Sequence, residues 1–174
     1  GSFSMDGREE EYQWAGPYLY SRQVVAVRSD SDIRTLQDLA DKVVAVQSTT
    51  KPEELFLNAE QNGLPRLRRL YSLQNRDLLY TTLLKGYADA LAAHESAIRQ
   101  FMKDYSVEYR ILDEPLMTAR LGVAFAKERG DDLPQQLTEV FQEMLADGTV
   151  RQIVSRYLDD PEHYLDGLED STHA

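Results

Sequence analysis

Six short strand candidates, spaced by stretches with helical periodicity, constrain this chain more than any other feature. Arg22-Gln23-Val24-Val25-Ala26-Val27 is apolar nearly throughout and follows a Gly16-Pro17 turn signal, 42–46 is a second apolar run and 88–93 reads as another buried strand; 67–71, 108–112 and 121–126 are further strand candidates. Runs of this length with little polar alternation are how strands buried on both faces read. Helix candidates fall between them. A short one covers 35–40, a second begins at Ser48-Thr49-Thr50 and is ended by Gly63 and Pro65, a third covers 76–85 with Asn75 as cap and Gly86 as terminator, and a fourth covers 95–103. The alternation argues for an α/β chain with a parallel sheet and crossover helices. From Leu133 onward the pattern is helical only: Leu133, Leu137, Val140, Phe141, Met144 and Leu145 share one face, Asp147-Gly148-Thr149 interrupts, and Val150, Ile153, Val154 and Tyr157 begin another helix. The end, 159–174, is acidic and poor in apolar residues, and its last stretch reads as a frayed tail.

The charge balance narrows the partners. With 30 acidic against 19 basic residues and a net charge of -11, neither nucleic acid nor an anionic membrane surface is an expected partner, since both call for a basic face. The 174 residues, 42% of them hydrophobic, suffice for one ordinary domain or two small lobes. There are no cysteines, which removes disulfides, thiolate metal sites and a cysteine nucleophile. No apolar run approaches the roughly 20 residues that span a bilayer, and the chain does not start like a signal peptide. No cofactor or metal is implied.

Four places carry candidate chemistry. At Ser48-Thr49-Thr50 a strand runs into a helix start rich in hydroxyls, where free N–H groups and the helix dipole would favour an anion; a plain helix cap is the alternative. Arg8 is of the right type to fork two hydrogen bonds onto a carboxylate, although a surface ion pair with Glu9, Glu10 or Glu11 is the simpler reading. Trp14, beside Tyr12, Pro17, Tyr18 and Tyr20, could wall a pocket or close a core. His94-Glu95 follows a strand directly, at the end where open α/β sheets place ligands. A base and its orienter could be made from that pair, but no Ser or Cys nucleophile motif accompanies it and no third metal ligand is near, so polar contact is expected rather than catalysis. His163 and His173 lie near the tail and carry little.

Taken in order, several of these pieces resemble the family-3 extracellular solute-binding proteins, the amino-acid receptors of bacterial ABC importers. The resemblance runs through Ser2-Phe3-Ser4…Arg8 and Trp14-Ala15-Gly16-Pro17-Tyr18, then Asp38-Leu39-Ala40-Asp41-Lys42-Val43-Val44-Ala45-Val46-Gln47 leading into the Thr-rich helix start. It continues through Gly86-Tyr87-Ala88-Asp89-Ala90 and closes with Asp147-Gly148-Thr149…Ile153…Tyr157-Leu158. No single motif is specific; four in this order are.

The resemblance implies an α/β, periplasmic-binding-protein-like type II fold: a complete second lobe at 20–117, and at 1–19 and 118–174 the C-terminal part of the first lobe. It implies a clamp that closes on ligand across two hinge strands. Arg8 would take the ligand's carboxylate with help from Ser2 and Ser4, Ser48-Thr49-Thr50 would meet it from the other lobe, and Trp14 would stand as a wall. His94 occupies the position where those receptors place an Asp for the ligand's ammonium, which leaves Glu95 as the neighbouring acid.

The implied function is extracytoplasmic binding, periplasmic or cell-surface attached, of a small carboxylate-bearing solute such as an amino acid or analogue. The implied partner is the membrane permease of an ABC importer. A sensor domain of a membrane kinase or cyclase is the alternative, and a dehydratase-like or transglycosylase-like enzyme a more distant one. A first lobe without its opening strands would expose apolar surface, so homodimerisation or strand exchange is expected.

Overall fold

The structure, a computed structural model, describes residues 2–168. In chain order its strands are β1 (Ser2–Ser4), β2 (Gln13–Arg28), β3 (Val43–Gln47), β4 (Arg69–Leu73), β5 (Ala90–His94), β6 (Tyr109–Ile111) and β7 (Met117–Phe125). The helices are α1 (Lys51–Leu57), α2 (Arg76–Leu84), α3 (Glu95–Tyr105), α4 (Leu133–Ala146), α5 (Thr149–Val154) and α6 (Glu162–Leu165). The chain divides into two compact units, Gly1–Ser21 with Thr118–Ala174, and Arg22–Met117.

In the unit Arg22–Met117 the strands lie in the order β2, β5, β3, β4, with β6 also paired to β2. β3 runs parallel to both β4 and β5. β2 runs antiparallel to β5, with Gln23 opposite His94 and Val27 opposite Ala90, and antiparallel to β6. The sheet is therefore mixed, where alternation alone suggested a parallel one: β3, β4 and β5 are parallel, joined by two crossovers, and β2 runs against them.

Successive strand residues point to opposite faces, and here both faces are covered. Val25, Val27, Val44, Val46, Ala90 and Ala92 pack on one side with Leu36, Leu39, Phe56 and Leu112. Val24, Ala26, Ala45 and Leu91 pack on the other with Leu79, Leu83, Ile98 and Tyr109. That is why the strand sequences are apolar runs; each fully buried Val or Leu contributes roughly 1.5–3 kcal/mol. Asp89 closes the β3–β5 edge, its Oδ2 accepting from the Val43 N–H at 2.8 Å while its own N–H donates to the Val43 carbonyl at 2.8 Å. Asn75 caps α2 by accepting the Asp77 N–H at 2.8 Å, and Gly86 follows its end at φ +75°.

In the other unit β1 pairs antiparallel with β7, and β7 lies beside the first half of β2. Leu145, Val150, Leu165 and Leu168 form its core with Leu19 and Tyr20 against them.

Local expectations changed in three places. Gly16-Pro17 is no turn; it lies within β2, and Gly16 holds φ +116° where a Cβ would meet the Gly122 Cα at 3.3 Å. The segment 35–40 forms one 3-10 turn, Gln37–Leu39, because the Asp38 carboxylate accepts the N–H groups of Arg34 and Thr35 and tightens the loop. α1 stops at Leu57 rather than at Gly63, and the side-chain amide of Asn62 donates to the carbonyls of Leu55 and Asn58. Within the acidic end α6 forms, and Tyr164, Leu165 and Leu168 are buried; the last stretch, expected to fray, falls on residues outside those described. Residues 169–174, with His173, lie outside the described residues.

Candidate functional site

In the first unit, Arg8 sits in the turn after β1, its N–H donating to the Met5 carbonyl at 3.1 Å. Three glutamates follow it, yet the ion pair with them does not form. Arg120 takes Asp6 at 2.8 Å and Glu9 at 3.0 Å, and among the described residues the Arg8 guanidinium has no hydrogen bond or ion pair. Arg8 lines a cavity of about 350 Å³ with Tyr12, Trp14, Ala124, Phe125 and Ala126. Trp14 Nε1 donates to the Arg8 carbonyl at 3.2 Å, and Tyr12 meets the indole edge-on at 5.8 Å. The aromatic cluster thus fixes the turn and forms one wall. Ser4 is half-buried in β1 and is not part of this lining; the Ser2 side chain lies outside the described residues.

In the second unit, the Ser48-Thr49-Thr50 segment leads into α1, but its donors are engaged from within. The Thr49 N–H donates to Glu53 Oε2 at 2.6 Å, the Thr50 hydroxyl to the Gln47 carbonyl at 2.6 Å, and the Thr49 hydroxyl to the Ser48 carbonyl at 2.6 Å. The Ser48 N–H donates to Leu73. The Ser72 hydroxyl and the Thr49 N–H hold the Glu53 carboxyl below its ordinary pKa. A carboxylate of the protein itself therefore occupies the place that the anion reading gave to a ligand. Thr49 sits at φ +60°, an unusual conformation for a β-branched residue.

His94 ends β5 and Glu95 opens α3, and the two part company there. Glu95 is buried and turned onto two arginines, Arg99 at 2.7 Å and Arg22 at 3.4 Å. His94 lies against the Gln23 side-chain amide, whose Nε2 stands 2.9 Å from one ring nitrogen and 3.1 Å from the other. Desolvation, and then the charge of Arg76, push the His94 pKa down. His94 and Thr50 share a small pocket, about 30 Å³, with Gln23, Gln47, Arg76 and Tyr80. Of the sequence candidates, then, Arg8 and Trp14 meet in one cavity and Thr50 and His94 in another. Ser4, Ser48, Thr49 and Glu95 line neither.

Four polar lining residues of the second pocket escaped the sequence reading: Gln23, Gln47, Arg76 and Tyr80. Gln23 had a signal, as a lone polar residue inside a buried apolar run; Arg76 and Tyr80, on an ordinary amphipathic helix, had none. Among the described residues no cluster of three or more His, Asp or Glu could hold a metal ion, and no helix is long and apolar enough to cross a membrane.

The model of the bacterial extracellular solute-binding proteins, family 3, matches residues 1–160. The chain belongs to that family. It is 31% identical over 161 residues to the histidine-binding periplasmic protein of Escherichia coli strain K12, covering 87% of this chain and 60% of that protein. It is 25% identical over 162 residues to the glutamate-binding protein GluB of Corynebacterium glutamicum, covering 87% and 52%. This family-3 chain thus spans just over half the length of such relatives. Among solved structures it resembles the substrate-binding protein of an amino acid ABC transporter, with 25% identity, 88% of this chain and 66% of that chain covered, and a TM-score of 0.59. An ancestral cationic amino acid solute-binding protein superposes with a TM-score of 0.71 at 23% identity, covering 90% and 67%. The fold class is the periplasmic-binding-protein-like type II fold, present in part.

Proposed function

We propose that this chain binds the carboxylate of an amino acid or close analogue as part of the receptor of an ABC importer, outside the cytoplasm, with the importer's membrane permease as its partner. The observation that carries the reading is the Arg8 guanidinium, left without an acid beside three glutamates and set at an aromatic-walled cavity. An arginine in that condition suits bidentate capture of a carboxylate. Trp14 and Tyr12 supply the wall, and Thr50 and His94 line a separate pocket within Arg22–Met117. The names of the relatives support the solute class, since they bind histidine and glutamate. On this reading Arg22–Met117 is the family's second lobe and the remainder belongs to its first.

Binding rather than catalysis fits the same residues. A catalytic reading needs Glu95 as a positioned acid, and Glu95 is buried between Arg22 and Arg99. Self-association belongs to the proposal too, with Val140 and Ile153 exposed on α4 and α5 and Tyr157 exposed in the turn after α5; light scattering that reports a monomer at working concentrations removes it.

A thermal-shift screen of the chain with amino acids, small dicarboxylates and polyamines tests the function. A ligand at 100 times its dissociation constant stabilises by about 2.7 kcal/mol. The expected result is stabilisation by at least one carboxylate-bearing amino acid; no shift with any carboxylate overturns the reading.

A further inference from the structure

We propose that the groove between the end of α1 and the start of β4 is a docking surface for an extended acidic segment of another protein, one that brings at least one large apolar side chain. The groove lies wholly within Arg22–Met117, at the opposite end of the parallel strands from the pocket at Gln47 and His94. It is therefore independent of the solute reading above.

Phe56, Leu57, Leu64, Leu67 and Leu70 line this groove of about 640 Å³. Phe56 is buried as part of the core, Leu64, Leu67 and Leu70 are only half-buried against it, and Leu57 is 69% exposed. The core is thus left partly uncovered beside α1. An extended segment fits because β4 is the last strand of its sheet among the described residues. The Arg69 N–H donates to the Lys42 carbonyl at 3.4 Å and the Leu73 carbonyl accepts from the Ser48 N–H at 2.9 Å. By alternation, Leu70 and Ser72 turn their backbone N–H and C=O groups away from β3. Such an edge can take up an added strand, and Leu70 belongs to both the edge and the groove.

Charge selects the segment. Arg66, Arg68 and Arg69 also line the groove, against one acid, Glu60, in a chain whose net charge is -11. All three arginines are exposed. Among the described residues the Arg66 guanidinium has no hydrogen bond or ion pair, Arg68 reaches Asp89 only at 3.8 Å, and Arg69 lies over the Tyr71 ring at 5.4 Å. Carboxylates spaced along a partner segment would give these arginines the planar acceptors they suit. Two copies of this chain joined edge to edge would instead gather both arginine clusters along one five-residue strand pair, and like charges oppose such pairing. A membrane is too broad for the patch: beyond the Debye length of about 8 Å its anionic lipids would face the chain's excess of acids, whereas a single segment stays within the groove.

The test is fluorescence anisotropy of short labelled peptides on the full chain: an alternating Glu/Leu peptide, the same peptide with Lys for Glu, and the same with Ser for Leu. The Glu/Leu peptide should bind about tenfold or more tighter than either control, the factor that a charge-assisted hydrogen bond or a buried leucine supplies. That preference should shrink as salt is raised. It should be lost when Arg66→Ser and Arg69→Ser are combined, and reduced in Leu57→Ser; all three positions are exposed, so the thermal midpoint should stay in place. Equal binding of the three peptides, no binding of any, or a preference that survives in the variants overturns the inference, the arginines then serving only to keep strand edges apart. Vesicles of phosphatidylglycerol and phosphatidylcholine form a further arm: vesicle binding without peptide binding assigns the groove to a lipid surface and overturns it. Self-association that the same variants abolish assigns the groove to a second copy and overturns it as well. Each of these failures leaves the receptor reading standing, because the solute screen does not touch this end of the strands.

Discussion

Glu53 Oε2 accepts the Thr49 backbone N–H at 2.6 Å, so the mouth of α1 already holds a carboxylate. Glu53 is solvated, and its pKa is lowered from 4.5 by the Ser72 hydroxyl and then by the Thr49 N–H. A carboxyl whose folded pKa is depressed stabilises the fold above its unfolded value, and that contribution is lost as pH falls through the folded value. Glu53→Gln should therefore lower the thermal midpoint at pH 7, and the gap to the parent protein should close as pH drops below about 4.5. A gap that stays constant with pH would mean that the carboxylate charge does not act there.

Arg8→Ala should weaken binding of the carboxylate-bearing ligand about tenfold to hundredfold, the loss expected on removing a charge-assisted hydrogen-bonding partner. Arg8→Lys should recover only part of it, since an ammonium cannot make the two-pronged contact. The urea midpoint should hardly move, because the guanidinium has no partner among the described residues. Calorimetry and urea denaturation on the same samples separate the two effects, and unchanged affinity in Arg8→Ala removes Arg8 from the site.

His94 gives a second pH signature. Its folded pKa lies below 6.5, first through burial and then through Arg76. Between the folded value and 6.5 the unfolded chain binds more protons, so stability falls as pH drops through that window. His94→Asn should flatten that slope in urea unfolding followed from pH 7 downward. In a magnetic-resonance titration, Arg76→Gln should move the His94 pKa upward, while the desolvation that remains should keep it short of 6.5.

Glu95→Gln should cost about 3 kcal/mol in urea denaturation. Breaking a buried ion pair strands its partners, but Arg22 and Arg99 keep 16% and 25% of their side-chain surface in water, which places the loss at the low end. If the loss stays below about 0.5 kcal/mol, the triad contributes no more than a surface pair would.

Gly122→Ala should destabilise by about 1–3 kcal/mol, as overpacking does. The added carbon would stand 2.7 Å from Met5 Sδ and 2.9 Å from the Ala15 carbonyl oxygen. The sulfur can swing away; the backbone oxygen in β2 cannot.

The strands were legible because two-faced burial writes itself as unbroken apolar runs, as in Val24-Val25-Ala26-Val27. Helix starts and stops at Asn75 and Gly86 were legible for the same local reason. Strand direction was not, since β2 pairs with β5 across a long stretch of sequence and no local pattern reports orientation. Helix α6 was missed because its apolar residues, Tyr164 and Leu165 with Leu168 after them, stand among acidic neighbours that obscured them. At the site, Arg8 and His94 stood out by residue type. What each one touches came from partners far along the chain: Arg120 draws off Glu9, and Arg22 and Arg99 draw off Glu95. Tyr80 became visible as a site residue only through the pocket it lines beside His94.

Asp89 has a reach that its own position does not suggest. By clasping both backbone groups of Val43 it fixes which residue of β5 lies opposite which residue of β3, and His94 stands five residues, about 16 Å, further along the same strand. A slip of one place would send Ala92 and His94 to the wrong faces and take the pocket apart. Ligand-selection experiments on this chain should therefore return substitutions at Asp89 that behave like contact mutations, although Asp89 touches no part of the pocket.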